Sequence, residues 1–319
     1  MKNAESKEKN LMRYITLGQD DKELSEIVLG MMRIKDKSVK EVEELVETAL
    51  SVGINAFDLA DIYGRGRCEE LLGLVLKNRP DLREKMWIQS KCGIRIEEFT
   101  YFDFSKDYII KSVDGILQRL KIDYLDSLLL HRPDALMESD QVAESFDLLY
   151  KQGKVRDFGV SNQNPMMMEL LKKDVKQPLA VNQLQLSAAF TPGFESGFHV
   201  NMEDSQAAMR DGSIFEYCKL HDVVIQAWSV LQFGYFKGNF VGNEKFQALN
   251  QVLDRLAIKY GVTSSTIAIS WILRYPAKMQ AVVGTTNPKH LREVSQAANF
   301  SLTRKEWYEI YLAAGNNLP

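Results

Sequence analysis

Within 319 residues, eight apolar runs of strand length alternate with stretches of helical periodicity, and that alternation predicts an α/β protein of the (β/α)8 TIM-barrel class. The runs fall at 24–30, 54–58, 86–91, 124–131, 155–161, 180–183, 223–229 and 280–284. Several are apolar almost throughout, as in Leu128-Leu129-Leu130 and Val223-Val224-Ile225, which suits parallel strands buried on both faces. The rival doubly wound sheet most often carries GxGxxG after its first strand. Here Gly64-Arg65-Gly66 is followed by Glu69 where the third glycine belongs. No linker rich in Pro, Gly or Ser interrupts the pattern, so residues 13–319 read as a single barrel domain behind a short polar tail over 1–12.

The helices are legible in turn. Segment 39–52 puts Val42, Leu45, Val46, Ala49 and Leu50 on one stripe, and Ser38 with Glu41 forms a capping box at its start. Segment 106–120 repeats the stripe with Ile109, Val113, Ile116 and Leu120, and 141–150 with Val142, Phe146 and Leu149. Asn287-Pro288 reads as an N-cap with proline at the first helical position. An extra C-terminal helix over 303–314 has its own box, Thr303 with Glu306. Three connections, 92–105, 186–205 and 230–243, are long, and each follows a strand, which puts them on the C-terminal rim. They carry Phe99, Tyr101, Phe102 and Phe104, then Phe190, Phe194 and Phe198, then Phe233, Tyr235, Phe236 and Phe240. Aromatics in these places either pack over the rim or line an apolar, shape-selective pocket, and the two are compatible.

Composition narrows the class. With 45% hydrophobic and 26% charged residues and a formal charge of −3, the chain is globular and gives no sign of a nucleic-acid or anionic-membrane partner. Cys68, Cys92 and Cys218 are scattered without a CxxC pair, as expected of reduced thiols in a cytoplasmic protein. Cys92 stands beside Lys91, where a thiolate would be activated, but plain packing is the expectation. His131, His199, His221 and His290 form no HxH or HxxxH pair, which argues against a metal-dependent barrel hydrolase. The first dozen residues lack the apolar core of a signal peptide, and no apolar run approaches the ~20 residues of a membrane span.

In a barrel, polar residues at C-terminal strand ends converge on one mouth. In order these are Asp58, Lys91, His131, Ser161 with Asn162, Gln183, and Trp228 with Ser229, while Tyr63 follows Asp58 closely enough to turn back over the mouth. Alone, each is an ordinary cap, solvated charge or rim aromatic. Together they specify a chemistry. A buried lysine and aspartate must pair. The ammonium is expected to lower the pKa of a neighbouring phenol, and a histidine can orient the oxygen that receives the phenol's proton. That equipment protonates a carbonyl oxygen while a hydride arrives at its carbon, with no metal.

The segment Gly53-Ile54-Asn55-Ala56-Phe57-Asp58-Leu59-Ala60-Asp61-Ile62-Tyr63-Gly64, followed by Cys68-Glu69-Glu70-Leu71-Leu72-Gly73, resembles the signature of the aldo-keto reductases. The likeness continues through Ser90-Lys91-Cys92-Gly93, Asp123-Tyr124-Leu125-Asp126, Leu129-Leu130-His131-Arg132-Pro133 and Gly153-Lys154-Val155-Arg156. It then runs through Gly159-Val160-Ser161-Asn162, Val181-Asn182-Gln183 and Gly284-Thr285-Thr286-Asn287-Pro288, and so spans almost the whole chain. The resemblance implies that Tyr63 is the general acid, that Lys91 and Asp58 tune it, and that His131 orients the substrate carbonyl. It implies NADPH in preference to NADH as cofactor. Ser161, Asn162 and Gln183 would hold the nicotinamide carboxamide, Trp228 would lie against the ring, and Ser229 and Leu231 would approach the pyrophosphate. Gly30 and Met31 would contribute from the first strand end. Gly284, Thr285, Thr286, Asn287, His290 and Glu293 would form the adenosine-phosphate site. There a strand ending in glycine and hydroxyls, then a helix start, offers free N–H groups to an anion. Two positions depart from the family pattern. His290 stands where an arginine often is, with Lys289 and Arg292 near, and Val294 stands where asparagine is common. The implied substrate is a small carbonyl compound and the implied state a monomer. Some family members instead bind NADPH as redox-sensing regulatory subunits with little turnover.

Overall fold

The computed structural model describes residues 12–18, 22–199, 202, 205, 208 and 212–316. All of the 1–12 tail but Met12, and residues 200, 201, 203 and 204 of the second long connection, lie outside these. The described chain opens with an antiparallel hairpin, β1 (Tyr14–Leu17) and β2 (Lys22–Ser25). Strands β3 (Ile27–Gly30), β4 (Ala56–Asp58) and β5 (Trp87–Cys92) follow. After a rim hairpin, β6 (Ile94–Ile96) and β7 (Thr100–Phe102), come β8 (Leu125–Leu130) and β9 (Val155–Ser161). Strands β10 (Leu179–Gln185), β11 (Val224–Trp228) and β12 (Met279–Val283) complete the set. Eight of these, β3, β4, β5 and β8 to β12, pair in parallel and close into a barrel with β12 against β3. Each matches one of the eight expected runs.

The first run is corrected at its start. Residues 24–30 are not one strand, because the chain bends at Glu26, whose carboxylate is held by Arg13 at 2.6 Å. Lys22–Ser25 therefore leaves the barrel wall and pairs with β1. The hairpin plugs the bottom. Leu17 and Leu24 pack there with Val28, Ala56, Trp87, Leu129, Val181, Val224 and Val282, the inward side chains of seven strands.

Helices α1 (Val39–Ser51), α2 (Arg67–Asn78), α3 (Lys106–Leu120), α4 (Ser139–Lys151) and α5 (Pro165–Lys172) follow β3, β4, β5, β8 and β9 in that order. A short α6 (Pro192–Phe198) and α7 (Ile214–Leu220) follow β10, α8 (Gln247–Tyr260) and α9 (Ser264–Leu273) follow β11, and α10 (Pro288–Ser295) follows β12. The extra helix is α11 (Arg304–Ala313), and both expected capping boxes form, at Ser38 with Glu41 and at Thr303 with Glu306. Trp307 of α11 stacks on Trp271 of α9 at 4.9 Å, and each indole N–H donates to the other's backbone carbonyl at 3.0 Å. Truncating Trp307 to alanine would cost about 3–5 kcal/mol in a contact of this kind.

The rim aromatics divide between the two expected roles. Phe104, Phe194 and Phe240 are buried, Phe194 among Phe215, Trp271, Tyr275 and Trp307. Phe99, Phe102, Tyr235 and Phe236 face outward. All three cysteines are buried, and burial pushes the Cys92 thiol well above its ordinary value, the reverse of activation by Lys91. Strand alternation explains this, since Lys91 points into the barrel and Cys92 outward into the helical layer. No single helix among the described residues is long and apolar enough to cross a membrane.

Candidate active site

Two positions above the apolar plug, the inward side chains turn polar. Period-2 alternation carries Ala56 to Asp58, Trp87 to Gln89 and Lys91, Leu129 to His131, Val181 to Gln183, and Val224 to Gln226 and Trp228. Lys91, fully buried, donates to Asp58 at 2.8 Å, to the Leu59 carbonyl at 2.6 Å and to Tyr63 Oη at 3.2 Å. Tyr63 is placed by the short helical turn Tyr63–Gly66, where Gly64, Arg65 and Gly66 all take left-handed backbone angles. Its ring meets that of His131 edge-on, with centroids 5.9 Å apart. The structure thus brings Asp58, Tyr63, Lys91 and His131 together.

Burial alone would push the Lys91 ammonium down, but Asp58 and Tyr63 outweigh it and hold the group above its ordinary value, so it stays charged. The expected lowering of the phenol is overturned. Burial raises Tyr63 above its ordinary 10 by more than the neighbouring ammonium lowers it. The phenol therefore keeps its proton across the neutral range. Burial, then the charges of Lys91 and Arg132, push His131 well below its ordinary value and leave it neutral. Its Nδ1 has no hydrogen-bond partner among the described residues.

Ser161 donates to the Gln183 carbonyl at 2.9 Å, and Asn162 donates from Nδ2 to Ser161 Oγ at 2.7 Å. Trp228 donates from its indole to Asn162 Oδ1 at 3.3 Å. Asn162 and Ser229 both hold left-handed angles, φ 56° and 54°, uncommon for residues with a Cβ and concentrated where a side chain must be aimed at a site. Leu231 is half-buried, and its carbonyl accepts from Phe240. Gly30 lies against β12 so closely that a Cβ would meet Val282 at 2.9 Å, and the Met31 side chain is in the core, leaving only its backbone for the mouth.

The segment 284–293 departs from expectation in one respect. Asn287 does cap α10, but its side chain accepts from the N–H groups of Lys289 and His290, so these donors are not free for an anion. His290 is exposed, Lys289 sits 3.8 Å from Glu293, and Arg292 turns toward Thr48 of α1. Thr285 and Thr286 are half-buried, and Thr285 Oγ1 accepts from the Asn287 N–H.

Three features escaped sequence reasoning. A ladder of amides crosses the barrel. Gln89 and Gln183 each donate to both Asp58 (2.7 and 3.0 Å) and Gln226 (2.8 and 3.1 Å), and Gln226 donates to Gln280 at 2.9 Å. Single glutamines inside apolar strands are its only signal. Behind Lys91, the buried Glu69 accepts from Ser90 and Arg119, both at 2.7 Å. Burial and the Glu69 charge raise nearby Asp61 to about 7. The signal was a glutamate on the apolar stripe of α2. Finally, Arg33, from the loop after β3, brings a guanidinium nitrogen 3.9 Å from where a Cβ on Gly284 would stand.

The barrel thus sets a buried lysine–aspartate pair beside a tyrosine phenol at its C-terminal mouth, an arrangement that can move a proton. The sequence pattern of the Aldo/keto reductase family matches residues 26–312, and the chain belongs to this family. It is 34% identical to oxidoreductase YdhF of Escherichia coli over 97% of this chain and 100% of that one. It is 33% identical to a 6-dehydroglucose reductase of Agrobacterium fabrum over 95% and 98% of the two chains. A Klebsiella pneumoniae aldo-keto reductase, solved in complex with NADPH, superposes with a TM-score of 0.74 at 20% identity, over 94% of each chain.

Proposed function

We propose that the chain reduces an aldehyde or ketone to an alcohol with NADPH, with Tyr63 as proton donor. The observation that carries this reading is Lys91, anchored on Asp58 and the Leu59 carbonyl while donating to Tyr63 Oη. A reduced nicotinamide, when bound, supplies the hydride for the carbonyl carbon. Tyr63 holds a proton that burial keeps in place, and gives it up when negative charge develops on the substrate oxygen beside it. The fixed positive charge of Lys91 steadies the resulting phenolate, and Asp58 keeps that charge aimed. Neutral His131 orients the oxygen without competing for the proton.

The residues present suit a dinucleotide. At the strand ends Asn162 and Ser229 hold left-handed backbone angles, and the Trp228 indole N–H donates to Asn162 Oδ1. Ser161, Asn162 and Gln183 would hold the carboxamide, Trp228 the ring face, Ser229 and Leu231 the pyrophosphate, and the backbone of Gly30 and Met31 the near wall. Gly284, Thr285, Thr286, Asn287, His290 and Glu293 would hold the adenosine phosphate. Arg33 and Lys289 supply positive charge there, which favours NADPH over NADH. Residues 13–319 act in this reading as one monomeric, cytoplasmic barrel domain.

The test is to titrate the protein with NADPH and NADH while following tryptophan fluorescence, then to assay NADPH oxidation against a carbonyl panel. Saturable quenching by NADPH, weaker quenching by NADH and turnover of a carbonyl support the reading. Tight binding with no turnover would favour a redox-sensing subunit, and no binding would remove both.

A further inference from the structure

Four glutamines meet inside the barrel, where Gln89, Gln226 and Gln280 are fully buried and Gln183 nearly so. Away from solvent, each amide must find its partners in the barrel wall or in another amide. Their order is set from both ends. At the plug end, Gln280 donates from Nε2 to the Ser25 carbonyl at 2.9 Å, and Ser25 is itself anchored by its N–H, which donates to Asn55 Oδ1 at 2.9 Å. A carbonyl only accepts, so Gln280 turns its own oxygen to Gln226, which donates to it at 2.9 Å. Gln226 Oε1 then faces Gln89 and Gln183, which donate to it at 2.8 and 3.1 Å. The second hydrogen of each of these two amides goes to Asp58 Oδ1, at 2.7 and 3.0 Å. Turning any one amide over would set nitrogen against nitrogen or oxygen against oxygen, so the whole run keeps one direction.

The consequence falls on Asp58. Lys91 Nζ reaches both of its oxygens, at 2.7 and 2.8 Å. When Tyr63 gives up its proton, the ammonium is drawn toward the phenolate. Two amide donors that do not move with Lys91 then keep the carboxylate in place. A single oxygen, Gln226 Oε1, aims both of these amides.

We propose that Gln226 is a positioning residue for the proton transfer: by accepting from Gln89 and Gln183 together it fixes Asp58 against Lys91, and Gln280 and Ser25 fix Gln226 in turn. This role rests on the reductase reading, in which Tyr63 is the acid. Gln226→Leu removes the shared acceptor and frees both amides to turn. It is expected to lower carbonyl reduction about tenfold to a hundredfold, with most of the loss in kcat and not in the carbonyl KM. Rates are taken per folded protein, checked by circular dichroism and melting temperature.

Gln226→Glu separates aim from packing. While protonated, its carboxyl donates to Gln280 and accepts from both amides, as the glutamine does. Once ionised it can no longer donate to Gln280, and it adds a negative charge facing Asp58 of β4 and Lys91 of β5, with Tyr63 and His131 at the mouth beyond them. Burial and Asp58 raise such a carboxyl, and Lys91 opposes them. This variant should match the parent at the acid end of the pH profile and lose kcat as pH rises through that titration, a limb that the parent and Gln226→Leu both lack. If Gln226→Leu fails to fold, Gln280→Leu supplies the second variant, one step further from Asp58 and with a smaller loss of kcat.

Equal kcat in the parent and Gln226→Leu would overturn the positioning role and leave the reductase reading intact. A Gln226→Glu variant as impaired at the acid end as Gln226→Leu would also overturn it, by reducing Gln226 to packing. A parent protein that reduces no carbonyl would remove the reductase reading and the positioning role with it.

Discussion

At the mouth, Asp58, Gln89 and Lys91 are buried, and each is held by two or more partners. At the phosphate end, 284–293, His290 reaches solvent, Lys289 has one distant carboxylate, and Arg33 approaches from a different loop. Buried charge leaves few arrangements open, so residue types at strand ends already specify the pairing. Exposed cations can be supplied from any neighbouring loop, and their contribution is screened. The proposed proton donor is therefore held by many contacts, while the proposed cofactor preference rests on exchangeable ones.

The largest expected effect breaks the buried side of that contrast. Lys91→Met leaves Asp58 charged and uncompensated, which costs about 3–5 kcal/mol of stability, and lowers kcat by about 10²–10⁴. Denaturant titration and NADPH oxidation measure the two, and a small stability change would mean that Gln89 and Gln183 alone satisfy Asp58.

The pH profile sharpens the contrast. A general acid works while protonated, and Tyr63 is raised, so the alkaline fall of kcat/KM lies above pH 10. His131 is lowered well below its ordinary value, so no limb is expected near 6.5. A break near neutrality would assign the proton to another group.

A smaller effect lies behind Lys91. Asp61 titrates at about 7 in the fold against 3.8 ordinarily, so the folded state holds a proton there that the unfolded chain has lost. Its contribution to stability is full below the unfolded value and is lost as pH rises through about 7. Asp61→Asn should accordingly gain melting temperature over the parent protein progressively from about pH 4 to about pH 8. A constant difference would place the residue outside the buried cluster.

The smallest effects belong to the phosphate end. Arg33→Met should weaken NADPH about fivefold and NADH less, and His290→Arg should raise the NADPH preference by a similar factor, within the range for one exposed contact to a phosphate. Fluorescence titrations with both cofactors decide. No change in either variant would shift the 2′-phosphate to Lys289 or Arg292.

The same contrast governs what could be read from sequence. Strand ends, helix stripes and both capping boxes are local patterns, and Asp58, Lys91 and His131 occupy positions that alternation brings to the inner face, while Tyr63 is returned to it by the turn after β4. The amide ladder was not legible because Gln89, Gln226 and Gln280 find their partners on strands far apart in the chain. Arg33 was missed for the same reason. The split of the first run at Glu26 depended on its pairing with Arg13, and the raised phenol on burial of Tyr63 outweighing the nearby ammonium. Asn287 shows the limit of a correct local reading. The cap was legible, but not that it occupies the N–H groups assigned to a phosphate.

The central claim is that a protonated Tyr63, held by the Lys91–Asp58 pair, supplies the proton. It is tested most directly by Tyr63→Phe, followed in parallel by NADPH quenching of tryptophan fluorescence and by NADPH oxidation with a reducible aldehyde. Retained NADPH affinity with turnover reduced by about 10²–10⁴ is the predicted result. Turnover at the parent rate, with affinity retained, would contradict it and place the acid elsewhere.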